Sequence, residues 1–492
     1  MLRRLPSFAL VSLFVLACSA SDKPETQRSI DGNGAAAAGG GAKGGAVSTA
    51  ESGRGGTPGG ASNASGGMAA SGAPNGGAAL VPGGSSSSGG SLAGGGTGAG
   101  GASSGGTLAT GGVASPSGGT AGVPLSGGAP VGGALTTGGV PSSSGAANLG
   151  DKYASYFPIG AAVDSKSYMT HAPLLTRHFK SITPENEMKF ESLQPTQGMF
   201  TYAAADRIVD FAQRSNMKIR GHALVWHSQN PSWLFSNGSG GTVSREVLLG
   251  RMKDHIDNVA GHFRGKVYAW DVVNEAMMDG GVYRTGNEAE GQVSRWYEII
   301  GESYIAEAFR YAHAADPDAK LFYNDFYDYI PAKQQGIYEM LKKLLADGVP
   351  VHGVGMQCHL NIEPSTVTTN QAFHQTVANL EKAIDLYSSL GLEVQVTELD
   401  VSLYIPGMMY TEDTFYTAAK FTDALKAKQA ARYREFFELF RRRADVITGV
   451  TFWGIADDNT WLSEFDSGRK DFPLLFDDDH QPKPAYDAVV QF

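Results

Sequence analysis

The sequence predicts an α/β fold, a (β/α)8 or TIM barrel, preceded by a disordered linker rich in Gly, Ser and Ala. In residues 151–492, short apolar runs alternate with longer stretches of helical periodicity, which indicates parallel strands joined by helices. There are eight such runs, the number that closes a barrel. Residues 31–150, in contrast, contain four charged side chains and no Phe, Trp or Tyr. Such a segment cannot bury enough apolar area to offset the entropy of ordering its backbone.

The first residues have the layout of a signal peptide. Arg3 and Arg4 precede an apolar run at 8–16, and small residues follow. We expect residues 1–20 to be this signal and the mature protein to be extracytoplasmic. The sequence Val-Leu-Ala-Cys-Ser at 15–19 resembles a bacterial lipobox, in which Cys18 becomes the lipidated N-terminus and anchors the protein to a membrane surface. In the alternative, ordinary cleavage discards Cys18 and the protein is secreted.

Residues 21–150 are predicted to be the linker. They hold 42 of the 65 glycines, without the every-third-residue spacing of collagen. A coil of this composition would let a tethered domain move away from the surface that anchors it. The barrel domain is predicted to occupy residues 151–492.

The predicted elements of the barrel follow in chain order. The strands are expected at residues 157–163, 181–183, 218–225, 267–273, 320–323, 353–357, 393–397 and 449–452. The main helical patterns cover residues 203–215, 247–264, 296–315, 332–347, 376–390, 414–443 and 484–490.

Charge and cysteine content exclude some partners. The net charge of −10 argues against nucleic acid. Cys358 has no second cysteine in the barrel, so a disulfide framework is excluded. We expect a monomer.

Polar and aromatic residues follow most of the predicted strands. Because the carboxyl ends of barrel strands converge on one face, these residues should lie together, and that face is where barrel enzymes place their sites. The alternative is that polar residues merely cap strands at water, but that alternative does not predict Glu, His and Trp recurring there. The segments concerned are 185–189, 222–227, 274–275, 324–325, 357–359, 398–400 and 453–454.

Glu275 and Glu398 are the candidate catalytic pair. Each follows an apolar strand, the fourth and the seventh, and Asn274 stands directly before Glu275. Two carboxyl groups facing a cleft are the minimum set for glycoside hydrolysis, one as proton donor and one ionised. A single Glu after a strand is more often a salt-bridge partner, but two such residues reverse that expectation.

Neighbouring residues give the two carboxyl groups different environments. Asp400 and His359 can form a chain to Glu398, and an imidazole that donates to a carboxylate keeps it ionised. Glu398 is therefore predicted to be the nucleophile. Glu275 lacks an obvious cation in the sequence around it, so it is predicted to be the proton donor.

Metal binding is the competing use of these side chains. His222 and His227 are five residues apart, and His359 and Glu398 are also available. Their spacing matches neither a zinc motif nor a facial triad. We therefore predict neither a catalytic metal nor another cofactor.

Together these motifs resemble glycoside hydrolase family 10, the endo-β-1,4-xylanases, over residues 153–492. The matching segments are Thr-Pro-Glu-Asn-Glu-Met-Lys at 183–189, Gly-His-Ala-Leu-Val-Trp-His-Ser-Gln at 221–229, Trp-Asp-Val-Val-Asn-Glu-Ala at 270–276, Gly-Met-Gln-Cys-His at 355–359, Thr-Glu-Leu-Asp at 397–400, and Phe-Trp-Gly at 452–454 with Trp461. The resemblance implies a retaining double displacement on xylan or xylo-oligosaccharides. Glu275 would be the acid/base and Glu398 the nucleophile.

The resemblance also implies roles for the surrounding residues. Asn274 would bond the sugar 2-hydroxyl, and His359 and Asp400 would orient Glu398. His222 and Lys189 would contact the sugar at the cleavage point. The remaining predicted sugar contacts are Glu185, Asn186 and Gln229 for the next sugar, Trp453 and Trp461 as an aromatic platform, and Trp226 and Gln357 on the inner wall.

The sequence departs from the family pattern at a few positions, and other functions stay open. Phe190, Cys358 and Tyr327 replace commoner residues, and the loop 278–291 is rich in Gly and acidic residues.

The close alternative is the same chemistry on cellulose or mixed-linkage glucan. The remote alternative is a surface glycan-binding protein without catalysis.

Overall fold

The computed structural model describes residues 148–286, 293–369, 371–406, 408–463 and 469–492. The predicted signal segment, Cys18 and nearly all of the predicted linker lie outside the described residues. The first described helix begins at Leu149, two residues before the predicted start of the barrel domain, and Leu149 is fully buried.

Eight parallel strands form a closed barrel, which confirms the predicted fold class. From β1 to β6 each strand pairs with the next along the chain; β6 then pairs with β8, β8 with β9, and β9 with β1. The strands are β1 (Ile159–Val163), β2 (Ser181–Pro184), β3 (Lys218–Trp226), β4 (Val267–Asn274), β5 (Lys320–Asp325), β6 (Gly353–Met356), β7 (His359–Asn361), β8 (Glu393–Ser402) and β9 (Ile447–Phe452).

Two features of the strands differ from the prediction. β8 continues to Ser402, so Glu398 and Asp400 lie within this strand and not after it. The carboxylates alternate with Leu399 and Val401, which are buried in the core, as the two-residue period of a strand requires. A short ninth strand, β7, pairs outside the barrel with the end of β8.

Helices surround the barrel. They are α1 (Leu149–Lys152), α2 (Ser167–Thr170), α3 (Ala172–His178), α4 (Phe190–Leu193), α5 (Ala203–Arg214), α6 (Arg245–His262), α7 (Arg295–Ile300), α8 (Ser303–Ala315), α9 (Pro331–Ala346), α10 (Val377–Ser388), α11 (Asp423–Arg442) and α12 (Pro484–Val490). In the part of the chain that the structure describes, three short 3-10 turns cover Gln371–His374, Glu412–Thr414 and Trp461–Ser463. Among the described residues, none of these helices combines the length and apolar character needed to cross a bilayer.

The helices form where the apolar period requires it. In α5 the buried residues are Ala205, Ile208, Val209 and Ala212, which is the spacing of one helical face. Several longer helices also begin at a hydroxyl side chain that accepts a backbone N–H of the first turn, which satisfies one of the free donors there. These N-caps are Ser244, Thr376 and Thr422.

Candidate active site

Glu275 and Glu398 lie close together at the carboxyl end of the barrel. Glu275 directly follows β4, and Glu398 lies in β8. Gln357, which follows β6, contacts both residues. Its side-chain Nε2 donates to Glu275 Oε1 at 3.0 Å. Its backbone carbonyl oxygen accepts the backbone N–H of Glu398, also at 3.0 Å. The two predicted catalytic groups are therefore held by one shared neighbour.

The Glu275 side chain is nearly enclosed. It is 13% exposed, and Trp226 Nε1 donates to its Oε2 at 2.7 Å. Its backbone has a φ of +59°, a left-handed conformation that non-glycine residues adopt only when their surroundings impose it. The backbone N–H of Glu275 donates to Asn324 O at 2.9 Å, which helps to hold this conformation.

Burial raises the pKa of Glu275, as a proton donor requires. The charge of Arg284 and the hydrogen bonds from Gln357 and Trp226 oppose this shift without cancelling it. Arg284 corrects the prediction that Glu275 lacks a nearby cation: its Nε donates to the Glu275 carbonyl oxygen at 3.0 Å. His227 adds no charge, because burial and the charges of Arg284 and Lys333 hold its pKa well below the usual value.

The Glu398 carboxylate is buried and accepts hydrogen bonds on both oxygens. Asn324 Nδ2 lies 2.8 Å from Oε1, and His359 Nε2 lies 3.2 Å from Oε2. Only 4% of the residue is exposed. A carboxylate held by two donors in this way is fixed in orientation, which suits attack on a single atom.

His359 links Glu398 to Asp400, as the sequence predicts. Its Nδ1 lies 2.9 Å from Asp400 Oδ2, and Trp461 Nε1 donates to the same oxygen at 2.9 Å. Burial disfavours the imidazolium, but the charges of Asp400 and Glu398 and their hydrogen bonds outweigh it and raise the pKa of His359 to about 10. His359 is therefore a cation at neutral pH and donates to both carboxylates.

Asn324, at the end of β5, joins Asn274 to Glu398. Its Nδ2 donates to Asn274 Oδ1 at 2.8 Å as well as to Glu398, and its own Oδ1 accepts from Thr397 Oγ1 at 2.6 Å. The hydrogen bond from Asn324 to Asn274 Oδ1 orients the Asn274 amide. Asn274 Nδ2 is therefore the group that can donate to a ligand. The predicted site set omits Asn324, although its place at a strand end is the signal that identified the others.

Lys189 organises the predicted contacts for the next sugar. Its ammonium bonds to Gln229 Oε1 at 2.7 Å and Asn186 Oδ1 at 3.1 Å, and it lies 4.9 Å from the centre of the Trp226 ring. Burial lowers the pKa of Lys189, against the charges of the surrounding carboxylates. Burial also raises the pKa of Glu185 to about 7, although the charge of Lys189 opposes that shift.

His222 is fixed from inside the barrel. Its Nδ1 lies 3.0 Å from Asp271 Oδ2, and Asp271 pairs with the buried guanidinium of Arg220. The Trp453 ring meets the His222 ring edge to face at 5.3 Å between centroids. Trp453 and Trp461 both flank His359, at 6.5 and 4.9 Å between centroids. The two tryptophans therefore line the same part of the site as Glu398.

A second network lies behind Glu275. The backbone N–H of Ala276 donates to the Tyr323 hydroxyl at 3.1 Å, and that hydroxyl bonds to Asp325. The buried Lys333 ammonium lies 2.9 Å from the other oxygen of Asp325. These residues fix the turn that carries Glu275. The sequence does not predict this role, because Lys333 lies in α9, far along the chain.

Two of the departures from the family pattern, Phe190 and Cys358, directly adjoin site residues in the sequence. Phe190 stacks on His255 with ring centroids 3.5 Å apart, in a cluster with Trp233 and Trp296. Cys358 is buried with a φ of +57°, and burial raises the pKa of its thiol. Of the Gly-rich loop 278–291, residues 287–291 lie outside the described residues.

Known proteins are similar to this chain in sequence and fold. The sequence pattern of glycosyl hydrolase family 10 matches residues 148–492. The chain is 44% identical over 344 residues to "Endo-1,4-beta-xylanase" of Geobacillus stearothermophilus, covering 70% of this chain and 98% of that protein. It is also 42% identical over 355 residues to "Exoglucanase XynX" of Acetivibrio thermocellus, covering 70% of this chain but 29% of that protein.

A solved structure agrees with the barrel. The crystal structure of xylanase XynB from Paenibacillus barcinonensis, complexed with a conduramine derivative, has a TM-score of 0.64 and 41% identity to this chain. The match covers 70% of this chain and 98% of that one. The match of the family pattern to the whole described domain, with relatives above 40% identity, confirms the resemblance found in the sequence: the chain belongs to glycoside hydrolase family 10.

Proposed function

We propose that this protein is an endo-1,4-β-xylanase that hydrolyses internal bonds of xylan with retention of anomeric configuration. The observation that carries the proposal is the pair of buried carboxyl groups in opposite environments. Burial favours the protonated form of Glu275, whereas Glu398 faces the cationic His359. The names of two relatives that share nearly their full length with this chain, both endo-1,4-beta-xylanases, support the choice of xylan as substrate.

In the first step, Glu398 attacks the anomeric carbon and Glu275 gives its proton to the glycosidic oxygen. The bond between that carbon and that oxygen breaks, the shortened chain leaves with the proton, and an ester forms between the sugar and Glu398. Asn324 and His359 hold the attacking carboxylate by one hydrogen bond on each oxygen.

In the second step, water hydrolyses the ester between the sugar and Glu398. Glu275, now a carboxylate, takes a proton from a water molecule while the water oxygen attacks the anomeric carbon and Glu398 leaves. The sugar is released with its original configuration, and both carboxyl groups return to their starting states.

Substrate binding is assigned to the polar and aromatic walls around this pair. Lys189, Asn186 and Gln229 form one hydrogen-bonded group that offers donors and acceptors to sugar hydroxyls. Trp226 and Trp453 offer apolar faces to the sugar rings. Sites of this composition, mostly apolar with a few placed polar groups, suit carbohydrate rings.

Product analysis on xylan tests substrate, endo-action and retention together. We expect oligosaccharides of several lengths early in the reaction, and we expect NMR to detect the β-anomer before mutarotation. Early release of xylose alone would contradict endo-action, and an initial α-anomer would contradict retention.

Glucan hydrolysis is the second candidate, because one relative is named an exoglucanase. Xylose lacks the hydroxymethyl arm of glucose, and Lys189 and Trp453, which line the site, should crowd that arm. We therefore expect a higher kcat/KM on soluble xylan than on soluble cellulose or mixed-linkage glucan. A higher value on either glucan would overturn the xylanase assignment.

We also propose that the protein works outside the cytoplasm, tethered through Cys18. Growth of a producing bacterium with a labelled fatty acid should label the wild-type protein but not a Cys18→Ser variant. Equal labelling of both proteins, or of neither, would contradict the tether.

A further inference from the structure

A cluster of two histidines and one aspartate lies away from the catalytic pair. His171 Nε2 lies 3.0 Å from Asp458 Oδ1, and His480 Nε2 lies 3.2 Å from Asp458 Oδ2. The three ligand-type atoms lie within 4.8 Å of one another. His171 is almost fully buried, whereas His480 is 34% and Asp458 37% exposed at the side chain. Ions in solution therefore have access to one side of the cluster.

The hydrogen bonds of His171 turn one of its nitrogens towards a ligand. Its Nδ1 lies 2.9 Å from Thr170 Oγ1, and that hydroxyl lies 3.5 Å from the Lys166 carbonyl oxygen. When Nδ1–H donates to Thr170 Oγ1, the lone pair of Nε2 faces the Asp458 carboxylate. In that tautomer, the nitrogen and the carboxylate oxygen can both bind a metal ion. A second bond that fixes the tautomer is also the usual support of a metal-bound histidine.

We infer that His171, Asp458 and His480 form a binding site for a divalent transition metal, with Zn²⁺ as the best match. Two imidazole nitrogens and one carboxylate oxygen are typical zinc ligands, with water as the fourth. Ligand atoms at about 2.0 Å from a tetrahedral ion are about 3.3 Å apart. The nitrogen–oxygen separations here are close to that value, at 3.0 Å from His171 to Asp458 Oδ1 and 3.2 Å from His480 to Asp458 Oδ2, so each oxygen of Asp458 faces one histidine. Ca²⁺ and Mg²⁺ prefer oxygen ligands, so they are poorer candidates.

The site would join three parts of the chain on the active-site side of the barrel. His171 lies between α2 and α3, after β1; Asp458 lies between Trp453 and Trp461, after β9; and His480 lies before α12. Asn459 Nδ2 already donates to Asp164 Oδ2 at 3.0 Å, between the first two of these segments. A bound ion would therefore fix the loop that carries both predicted platform tryptophans.

The turn that carries His480 is built to present it. Asp477 Oδ1 accepts the backbone N–H groups of Asp479 and Gln481 at 3.0 and 2.8 Å. His480 itself has a φ of +61°, and its ring lies 4.3 Å from the His171 ring between centroids. Asp477 and Asp479 also add negative charge to this turn, which favours a cation.

Calorimetry and thermal unfolding of the full chain test the inference. The protein carries no histidine tag, is stripped with a chelator and is titrated with ZnCl₂. We expect one Zn²⁺ to bind per chain, and at about 100 times the dissociation constant the unfolding midpoint should rise by about 3–4 °C. His480→Gln should lower the affinity by at least about tenfold, since loss of even a supporting partner of a metal ligand costs that much.

The matched control is another histidine–aspartate pair. His262 Nε2 lies 2.7 Å from Asp206 Oδ1, and it belongs to no such three-residue cluster among the described residues. His262→Gln should keep the full zinc response, and Asp458→Asn should weaken it as His480→Gln does. The inference is wrong if wild type gives no zinc response, if His480→Gln responds like wild type, or if Ca²⁺ gives the same response as Zn²⁺. Neither readout depends on xylan hydrolysis, so failure here leaves the proposed function standing.

Discussion

At the scale of single residues, alanine variants of Glu398 and Glu275 should lose hydrolytic activity in different ways. Glu398→Ala removes the attacking group, so hydrolysis of every substrate should fall on the order of 10⁴–10⁶-fold. Glu275→Ala removes the proton donor, so xylan hydrolysis should fall about 10²–10⁴-fold. A xylobioside with a strongly acidic phenol as leaving group needs no proton, so Glu275→Ala should keep a fast first release of phenol on it.

The control for both variants is an exposed glutamate on α9. Glu339 is 57% exposed at the side chain and pairs only weakly with Lys342, at 4.0 Å. Glu339→Ala should leave steady-state rates on both substrates unchanged. Equal losses on xylan and on the activated substrate for Glu275→Ala would argue against its role as acid.

His359 should set the acid side of the pH profile. Its pKa of about 10 keeps it cationic across the working range, so Glu398 always has a positive neighbour. His359→Gln removes that charge, and the acid limb of kcat/KM should move to higher pH, by about 1–3 units. The alkaline limb, which reports loss of the Glu275 proton, should move less. An acid limb at the wild-type position, measured on soluble xylan, would show that His359 does not act through charge.

The sequence was informative about residues that carry charge at strand ends and less so about their supports. Glu275, Glu398, His359 and Asp400 were identified from chemistry alone, and the structure brings all four together. Asn324 is among the strand-end residues but not among the predicted site residues, because no pattern in the sequence indicates its partner. Its importance depends on a contact with Glu398 that is 74 residues distant in sequence.

At the scale of elements, β6 must lie close to the residues that orient Glu398. A methyl group on Gly355 would lie 2.9 Å from Thr397 Cγ2 and would overlap the Asn324 side chain. Gly355→Ala should therefore displace Asn324, with a loss of about 1–3 kcal/mol in unfolding free energy. Because small misplacements are costly in catalysis, kcat on xylan should fall about 10–10²-fold.

The matched variant is Gly250→Ala in α6. A Cβ there meets nothing within 4 Å, and the residue is exposed within a helix. Alanine should raise the unfolding free energy by about 0.5–1 kcal/mol through helix propensity and leave kcat unchanged. Wild-type kcat in Gly355→Ala would mean that β6 tolerates the added group without moving Asn324.

The eight barrel strands were predictable because apolar runs of strand length mark them. The end of β8 was not predictable in this way. Glu398 and Asp400 are charged, and charged residues after an apolar run usually indicate that the strand has ended. Their side chains face the barrel mouth while Leu399 and Val401 face the core, so the strand continues through them. The sequence does not predict β7 as a separate strand, because only Gln357 and Cys358 lie between it and β6. The left-handed turn at Cys358 also lacks the glycine that would indicate it.

At the scale of the whole molecule, the two ends of the described domain close on each other. Tyr153 is fully buried; its hydroxyl donates to Val489 O at 2.7 Å, and its ring lies 5.4 Å from Phe492. Tyr153→Ala should lower the unfolding free energy by about 3–5 kcal/mol, as loss of a large buried ring does. Tyr153→Phe removes only the hydroxyl and should cost about 1 kcal/mol.

Urea unfolding of both variants, alongside kcat at 25 °C, separates this role from catalysis. The contact lies away from Glu275 and Glu398, so kcat should remain at the wild-type value for both. Equal stability of the two variants would show that the ring does not join the ends of the domain.

The division into a low-complexity segment and a barrel was accessible from composition, since every tryptophan and tyrosine lies after residue 150. Contacts between loops that are far apart in the sequence could not be predicted from composition. His171 and Asp458 are 287 residues apart, and no local pattern connects them. Only the closure of the barrel, in which β9 pairs with β1, brings the loops after these strands together.

The central claim is that Glu398 forms a covalent bond to the sugar. The most direct measurement is peptide mass spectrometry after reaction with a xylobioside that is fluorinated next to the anomeric carbon and carries a dinitrophenyl leaving group. The fluorine slows hydrolysis of the ester, so the intermediate should accumulate. We predict one xylobiosyl adduct per chain, on the peptide that contains Glu398. An adduct on Glu275, or dinitrophenol release with no adduct at any residue, would contradict the account.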